Sequence, residues 1–166
     1  MPTATSITVL IADDHPIFRR GLCEIIAGDA SLQLAGEAGD GEQAWRLMQR
    51  LLPTVAVLDI HMPKHNGMEL ARFSLQHRLP SKLIILTMDS DEALLAEALA
   101  LEVAGYLLKE TAVTDLLDAI RQVAGGGCFI SPAFSGALVR HNAARKVLQR
   151  QEPGLAQLTF TERQIL

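Results

Sequence analysis

Short apolar runs alternate along this chain with segments of helical period, and each run ends in a residue that can do chemistry. Ile7–Ala12 leads into Asp13 and Asp14, Val55–Leu58 into Asp59, Lys82–Leu86 into Thr87, and Gly105–Leu108 into Lys109. Leu32–Ala38 is a further strand-like run. Helical patterns fall between them. Pro16 opens one that Gly28 ends, Glu42 to about Leu51 forms the second, and a third follows the loop His61–Gly67 to about His77. The fourth runs through about Leu101, with Ser90 or Asp91 as N-cap, and Val113–Ala124 is the fifth. Five repeats of strand then helix specify a doubly wound α/β fold, because right-handed crossovers lay helices on both faces of a parallel sheet. The expected strand order is the flavodoxin-like 2-1-3-4-5. In such a sheet the carboxyl ends of the strands open into one crevice beside the switch between the first and third strands. The alternation therefore collects Asp13, Asp14, Asp59, Thr87 and Lys109 at one mouth.

Composition narrows the partners. The chain has 166 residues, 49% of them hydrophobic, enough for one well-packed domain and something more. Its net charge of −4 carries no overall signature for nucleic acid. No apolar run approaches the ~20 residues of a membrane span. Met1–Ser6 lacks the features of a signal peptide, so the expected location is the cytoplasm. Cys23 and Cys128 have no metal-ligand spacing and read as small buried side chains. Trp45 reads as packing.

Beyond Gly125-Gly126-Gly127 the character changes. Cys128–Ser131 reads as a short connector, and Pro132 to about Gln149 as a helix made locally basic by Arg140, His141, Arg145, Lys146 and Arg150. A basic helix of this kind suits a solvated surface better than a DNA contact. Thr159-Phe160-Thr161-Glu162 has the form of a capping box, starting a helix that ends with the chain at Leu166. The expected organisation is a first domain over 1–125, a linker with a helix over 126–154, and the opening of a second domain over 155–166.

Three crowded carboxylates repel one another, and a divalent cation relieves them. Mg²⁺ takes oxygen ligands and keeps several waters. Asp14 and Asp59 are the expected direct ligands, the backbone carbonyl of His61 a third, and Asp13 the holder of a coordinated water. The cation leaves room for one phosphoryl oxygen. Lys109 adds a second positive charge and Thr87 a hydroxyl. Phosphoryl transfer asks for little more than such positioning and charge neutralisation. Asp59, apart from the acidic pair, is the candidate nucleophile for an acyl phosphate.

Asp13-Asp14-His15-Pro16, Asp59-Ile60-His61-Met62-Pro63, Gly67, Leu86-Thr87-Met88 and Gly105-Tyr106-Leu107-Leu108-Lys109 together resemble the receiver domain of two-component response regulators. The resemblance runs from about Ile7 to Gly125, and its specificity lies in the ordered set. It implies that Asp59 accepts a phosphoryl group from a sensor histidine kinase and that Asp13 and Asp14 are the metal-binding pair. It also implies that Thr87 and Tyr106 are switch residues and that Lys109 contacts the phosphoryl group. Such a regulator is a signalling switch, not an enzyme of metabolism. Leu158 to Leu166 resembles the opening of the LuxR-type helix-turn-helix output domain, which places this chain in the NarL/FixJ-like subfamily with its output truncated. The implied partners are the kinase, a second copy of the chain, and DNA through the missing output domain, with no membrane. Departures from the pattern fall at His61, two beyond Asp59, at Asp89, two beyond Thr87, and after the fourth helix. Leu101-Glu102-Val103 stands where relatives often carry a glycine after the fourth helix. Leu94, Leu95, Leu99 and Leu101 do not all fit one buried face, so the fourth helix is expected to be apolar at its surface.

Other readings compete on the residues alone. A Mg²⁺-dependent phosphatase also uses a strand-end aspartate, but it usually carries a second aspartate two residues later, where this chain has His61. A flavin carrier of the same fold needs a phosphate loop where Asp13 and Asp14 stand. His15, His61 and His65 near three aspartates suggest a transition-metal site, although the carboxylates fit a hard cation better. The acidic pair could also be a helix N-terminal charge pair.

Overall fold

The computed structural model describes residues 5–151, with side chains through Val147. Six parallel strands form one sheet: β1 Ile7–Ala12, β2 Leu32–Ala38, β3 Val55–Asp59, β4 Lys82–Thr87, β5 Gly105–Leu108 and β6 Phe129–Ile130. Their order is β2-β1-β3-β4-β5-β6, the flavodoxin-like order with one strand added. Six helices accompany them: α1 Pro16–Ala27, α2 Gly41–Leu51, α3 Gly67–Gln76, α4 Glu92–Ala100, α5 Lys109–Ala124 and α6 Ser135–Gln151.

The central strands are buried on both faces, which is why they read as continuous apolar runs. Successive side chains point to opposite sides of the sheet. Val9, Ile11, Val55, Val57, Ile84, Leu86 and Leu107 pack with Leu22 and Ile26 of α1 and with Leu116, Ile120 and Val123 of α5. Each such side chain contributes about 1.5–3 kcal/mol when fully buried. The alternate residues Leu10, Ala56, Leu58, Leu83 and Ile85 are buried too, as are Met48 of α2, Leu70 of α3 and Leu95 of α4.

Local chemistry sets the helix starts. Pro16 occupies the first turn of α1, where its missing N–H costs nothing. Asp40, Asn66 and Asp91 cap α2, α3 and α4 by accepting from the N–H of Gln43, Glu69 and Ala93.

Two elements differ from the sequence reading. The connector expected over Cys128–Ser131 contains β6, which pairs Phe129 with Gly105 and Ile130 with Tyr106. A two-residue strand is too short to show a period, and its partner lies far back in sequence. The fifth helix starts at Lys109, four residues before the expected Val113, with no turn after β5. The apolar stripe begins later than the backbone does.

Glu102 takes a left-handed conformation, φ 62°, at the end of α4, the position where a glycine would carry no strain. Leu95 is buried, whereas Leu94, Leu99 and Leu101 are only partly covered. Neither cysteine is buried: Cys23 is half-exposed beside Glu37, and Cys128 is exposed. Trp45 packs edge-on against Phe73 and His77, as a packing residue should.

The first compact unit runs through Pro132. A second begins at Ala133, and its described part is chiefly α6, whose basic residues Arg140, Arg145 and Lys146 are exposed. The capping box at Thr159–Glu162 lies outside the described residues. Among the described residues no helix is long and apolar enough to cross a membrane.

Candidate functional site at the carboxyl edge of the sheet

Each residue expected at the crevice is delivered by a strand end. Asp13 and Asp14 follow β1, Asp59 is the last residue of β3, Thr87 closes β4, and Lys109 follows β5 directly as the first residue of α5. Asp59 lies beside Leu86 of β4, and Thr87 lies beside Leu108 of β5, so the register brings these ends level. Asp13 is pinned by its N–H to the Ala38 carbonyl, 3.1 Å.

Asp13, Asp59, Thr87 and Lys109 are all buried. Lys109 Nζ sits 2.9 Å from Asp13 Oδ2 and 2.9 Å from Asp59 Oδ2. The Phe18 ring lies under the same ammonium, 5.0 Å from it to the centroid. Two carboxylates around one buried lysine leave an excess negative charge. Burial first, then the charge of Asp13, pushes the Asp59 carboxyl up to about 6, against the pull of Lys109 and the His61 N–H. Burial alone would depress the Lys109 ammonium, but the hydrogen bonds and charges of Asp13 and Asp59 outweigh it and hold its pKa above the ordinary value.

The loop after β3 is fixed at close range. His61 N–H donates to Asp59 Oδ1, 3.2 Å, which brings the backbone at position 61 to the site while the His61 side chain points to solvent. Gly67 leaves no space for a side chain: a Cβ there would stand 2.6 Å from the Asp59 carbonyl oxygen. Gly41 likewise lets the Pro63–His65 loop sit against α2, its N–H donating to the Pro63 carbonyl at 3.0 Å.

Thr87 Oγ1 bonds the backbone of Asp89, accepting from its N–H and donating to its carbonyl, both at 3.2 Å. Tyr106 is buried on the adjacent strand, β5. Burial pushes the Tyr106 phenol up to about 12, and the nearby Thr87 hydroxyl opposes the shift. The two residues expected to act as a switch thus lie on paired neighbouring strands, β4 and β5.

The donor atoms of Asp13, Asp14, His15 and Asp59 all lie within 4.8 Å of one another. Asp14 Oδ1 is buried and makes no well-aligned hydrogen bond, its near neighbour being His15 Nδ1 at 3.1 Å. A buried carboxylate oxygen without a well-aligned donor is costly, and a cation among these oxygens relieves it. The carboxylate oxygens of this set fit a hard divalent cation. His61 and His65 contribute no atom to the cluster; His65 instead faces Glu69, 3.3 Å, and the Phe73 ring. The three-histidine transition-metal site is therefore not assembled.

Sequence reasoning missed two neighbours and the inward direction of a third, His15. The His15 ring turns its Nδ1 into the cluster, 3.1 Å from Asp14 Oδ1 and 3.2 Å from Asp13 Oδ1. Arg19 donates to the Asp13 carbonyl, 2.7 Å. Buried Ser131, just past β6, accepts from the Leu108 N–H at 3.1 Å and so holds the residue before Lys109. His15 and Arg19 fall two and six residues after Asp13, near enough in sequence to be found by proximity. Ser131 lies 23 residues from its partner and left no local signal.

Residues 9–121 match the family model described as the response regulator receiver domain. The chain is 33% identical over 156 residues to the transcriptional regulatory protein DegU of Brevibacillus brevis, covering 94% of this chain and 65% of DegU. It is 33% identical over 159 residues to the nitrate/nitrite response regulator protein NarL of Escherichia coli strain K12, covering 96% of this chain and 73% of NarL. Among solved structures, the signal receiver domain of NarL from Mycobacterium tuberculosis superposes with a TM-score of 0.70 at 33% identity, covering 73% of this chain and 98% of that one. The isolated receiver domain of RcsB from Salmonella enterica serovar Typhimurium, solved with the phosphomimetic BeF₃⁻, gives 0.74 at 29% identity, covering 80% and 99%. The acidic pair, the strand-end aspartate and the buried lysine are thus set in a chain that belongs to the response regulator receiver-domain family, among the LuxR-family regulators related to NarL and DegU.

Proposed function

We propose that this chain is a phosphorylation-dependent switch whose acceptor is Asp59. The observation that carries the reading is the placement of the Asp59 carboxylate, with Lys109 Nζ 2.9 Å from one oxygen and the His61 N–H 3.2 Å from the other. A sensor histidine kinase presents a phosphohistidine. One carboxylate oxygen of Asp59 attacks the phosphorus, the P–N bond breaks, the imidazole leaves, and an acyl phosphate forms. Lys109 neutralises charge on the phosphoryl oxygens. Asp14, Asp59 and the His61 carbonyl would hold Mg²⁺ directly, with Asp13 orienting a water on it. The cation supplies charge neutralisation for the transferring group.

The phosphoryl group adds negative charge and acceptor oxygens at the end of β3. Thr87, at the neighbouring strand end, turns its hydroxyl from Asp89 toward them. Tyr106 repacks into the space Thr87 leaves. The β4–α4 loop shifts, and the equilibrium between two states moves by as much as the phosphoryl group favours one of them. The output is homodimerisation and control of transcription through a LuxR-type DNA-binding domain. The family of regulators to which NarL and DegU belong supports that output, and the chain spans 65% of DegU and 73% of NarL. The reading assigns 1–125 to the receiver, 126–154 to a linker, 155–166 to the opening of the output domain, and the protein to the cytoplasm.

Intact mass after incubation with Mg²⁺ and acetyl phosphate tests the acceptor. One added phosphoryl group is expected, lost in Asp59→Asn and without Mg²⁺. An adduct that survives in Asp59→Asn moves the acceptor elsewhere, and no adduct under any condition rejects acyl-phosphate chemistry with a small donor.

A further inference from the structure

The acidic cluster carries one donor that a Mg²⁺ site does not need. His15 follows the acidic pair, and its backbone N–H donates to Asp13 Oδ1 at 2.8 Å, which fixes the residue over the crevice. Its ring is mostly exposed at the mouth, yet Nδ1 faces inward. That atom lies 3.2 Å from Asp13 Oδ1, 3.1 Å from Asp14 Oδ1, 3.3 Å from Lys109 Nζ and 3.9 Å from Asp59 Oδ2. Every charged group of the site is within reach of this one nitrogen. The separations within the set, all under 4.8 Å, suit donors that share one ion of first-row size.

Donor type decides which ion gains. Carboxylates and waters suit Mg²⁺, whereas imidazole adds much to the binding of Co²⁺, Ni²⁺, Cu²⁺ and Zn²⁺. A site of carboxylates alone discriminates weakly between Mg²⁺ and those ions beyond the ordinary affinity order. One aligned imidazole widens the gap.

We propose that His15 is a nitrogen ligand that makes the receiver's cation site take a first-row transition-metal ion in preference to Mg²⁺. The inference rests on the reading of Asp13, Asp14 and Asp59 as a cation site. It adds that the site senses or is poisoned by a borderline divalent cation through a ring that Mg²⁺ leaves unused. His61 and His65 do not share this role, since neither places an atom in the cluster.

The test titrates the whole 166-residue chain and its His15→Gln variant calorimetrically with Ni²⁺ and, separately, with Mg²⁺. The ratio of Ni²⁺ to Mg²⁺ affinity is expected to fall at least ~10-fold in His15→Gln, a loss that even residues merely hydrogen-bonded to a ligand commonly cause. Electron paramagnetic resonance of the Cu²⁺-loaded chain supplies a second readout. Nitrogen superhyperfine coupling is expected in the wild type, absent in His15→Gln and lost when Asp14→Asn removes the neighbouring carboxylate. An unchanged ratio, or coupling that persists in His15→Gln, overturns the inference. Mg²⁺ binding to both proteins with an unchanged ratio rejects the role of His15 and leaves the cation site standing. No binding of either ion to the wild type rejects both.

Discussion

Lys109 Nζ stands 2.9 Å from Asp59 Oδ2, a contact between side chains 50 residues apart that are both almost wholly buried. It exists because β5 runs straight into α5, which leaves Lys109 at the strand end with no turn to carry it away. The same ammonium holds Asp13 at 2.9 Å. Removing one partner of a buried ion pair leaves the other uncompensated. Lys109→Ala is therefore expected to destabilise the fold by about 3 kcal/mol in EDTA. Mg²⁺ should restore part of that loss by supplying the missing positive charge. Thermal unfolding with and without Mg²⁺ measures both effects, and an unchanged melting temperature in EDTA would show that the lysine does not compensate these carboxylates.

The raised Asp59 pKa has a signed consequence. The carboxyl titrates near 6 in the folded chain and near 3.8 when unfolded. Between those values the native state binds more protons than the unfolded state, so stability falls as pH rises from about 4 to about 6. The loss amounts to about 1–3 kcal/mol and is complete above the folded pKa. Asp59→Asn, which cannot ionise, should lack this segment of the pH profile and melt higher than wild type at pH 7 in EDTA. Denaturant midpoints across pH 4–7 decide it; parallel profiles for the two proteins would refute the assignment.

Those predictions concern residues legible before any coordinates. A parallel sheet puts all its strand ends on one edge, so reading where the apolar runs stop was enough to gather Asp13, Asp14, Asp59, Thr87 and Lys109. What stayed hidden depends on side-chain direction or on very short pairing. The inward Nδ1 of His15 is a rotamer, and a sequence carries no direct sign of it. The β6 pairing involves two residues, below the length at which alternation can be seen. The early start of α5 is masked because Lys109 and Glu110 precede the apolar stripe. The missing glycine after α4 was visible as a departure, but only the backbone shows that Glu102 absorbs the left-handed turn.

That turn gives a direct test. A non-glycine residue in this conformation carries roughly 1 kcal/mol of strain. The Glu102 side chain is exposed, so its replacement removes little packing. Glu102→Gly is expected to stabilise the fold by a few tenths to about 1 kcal/mol, the relief of strain being partly offset by the greater freedom of glycine when unfolded. Chemical denaturation should show a higher midpoint at unchanged slope.

Two glycines separate the demands of the site from those of the helices. Gly21 lies within α1 with nothing within 4 Å of a built Cβ, so Gly21→Ala should stabilise by about 0.5–1 kcal/mol through helix propensity alone. Gly67 meets the Asp59 carbonyl oxygen at 2.6 Å, and backbone there cannot yield without moving the acceptor strand or the start of α3. Gly67→Ala should cost about 2 kcal/mol or more, in the range of overpacked core sites. It should also slow formation of the acetyl phosphate adduct, because the shifted segment carries both Asp59 and the His61 N–H that holds its Oδ1. Measuring stability and adduct rate on the same variant distinguishes the two consequences. A variant that melts lower yet phosphorylates at the wild-type rate would mean that the close contact serves packing alone.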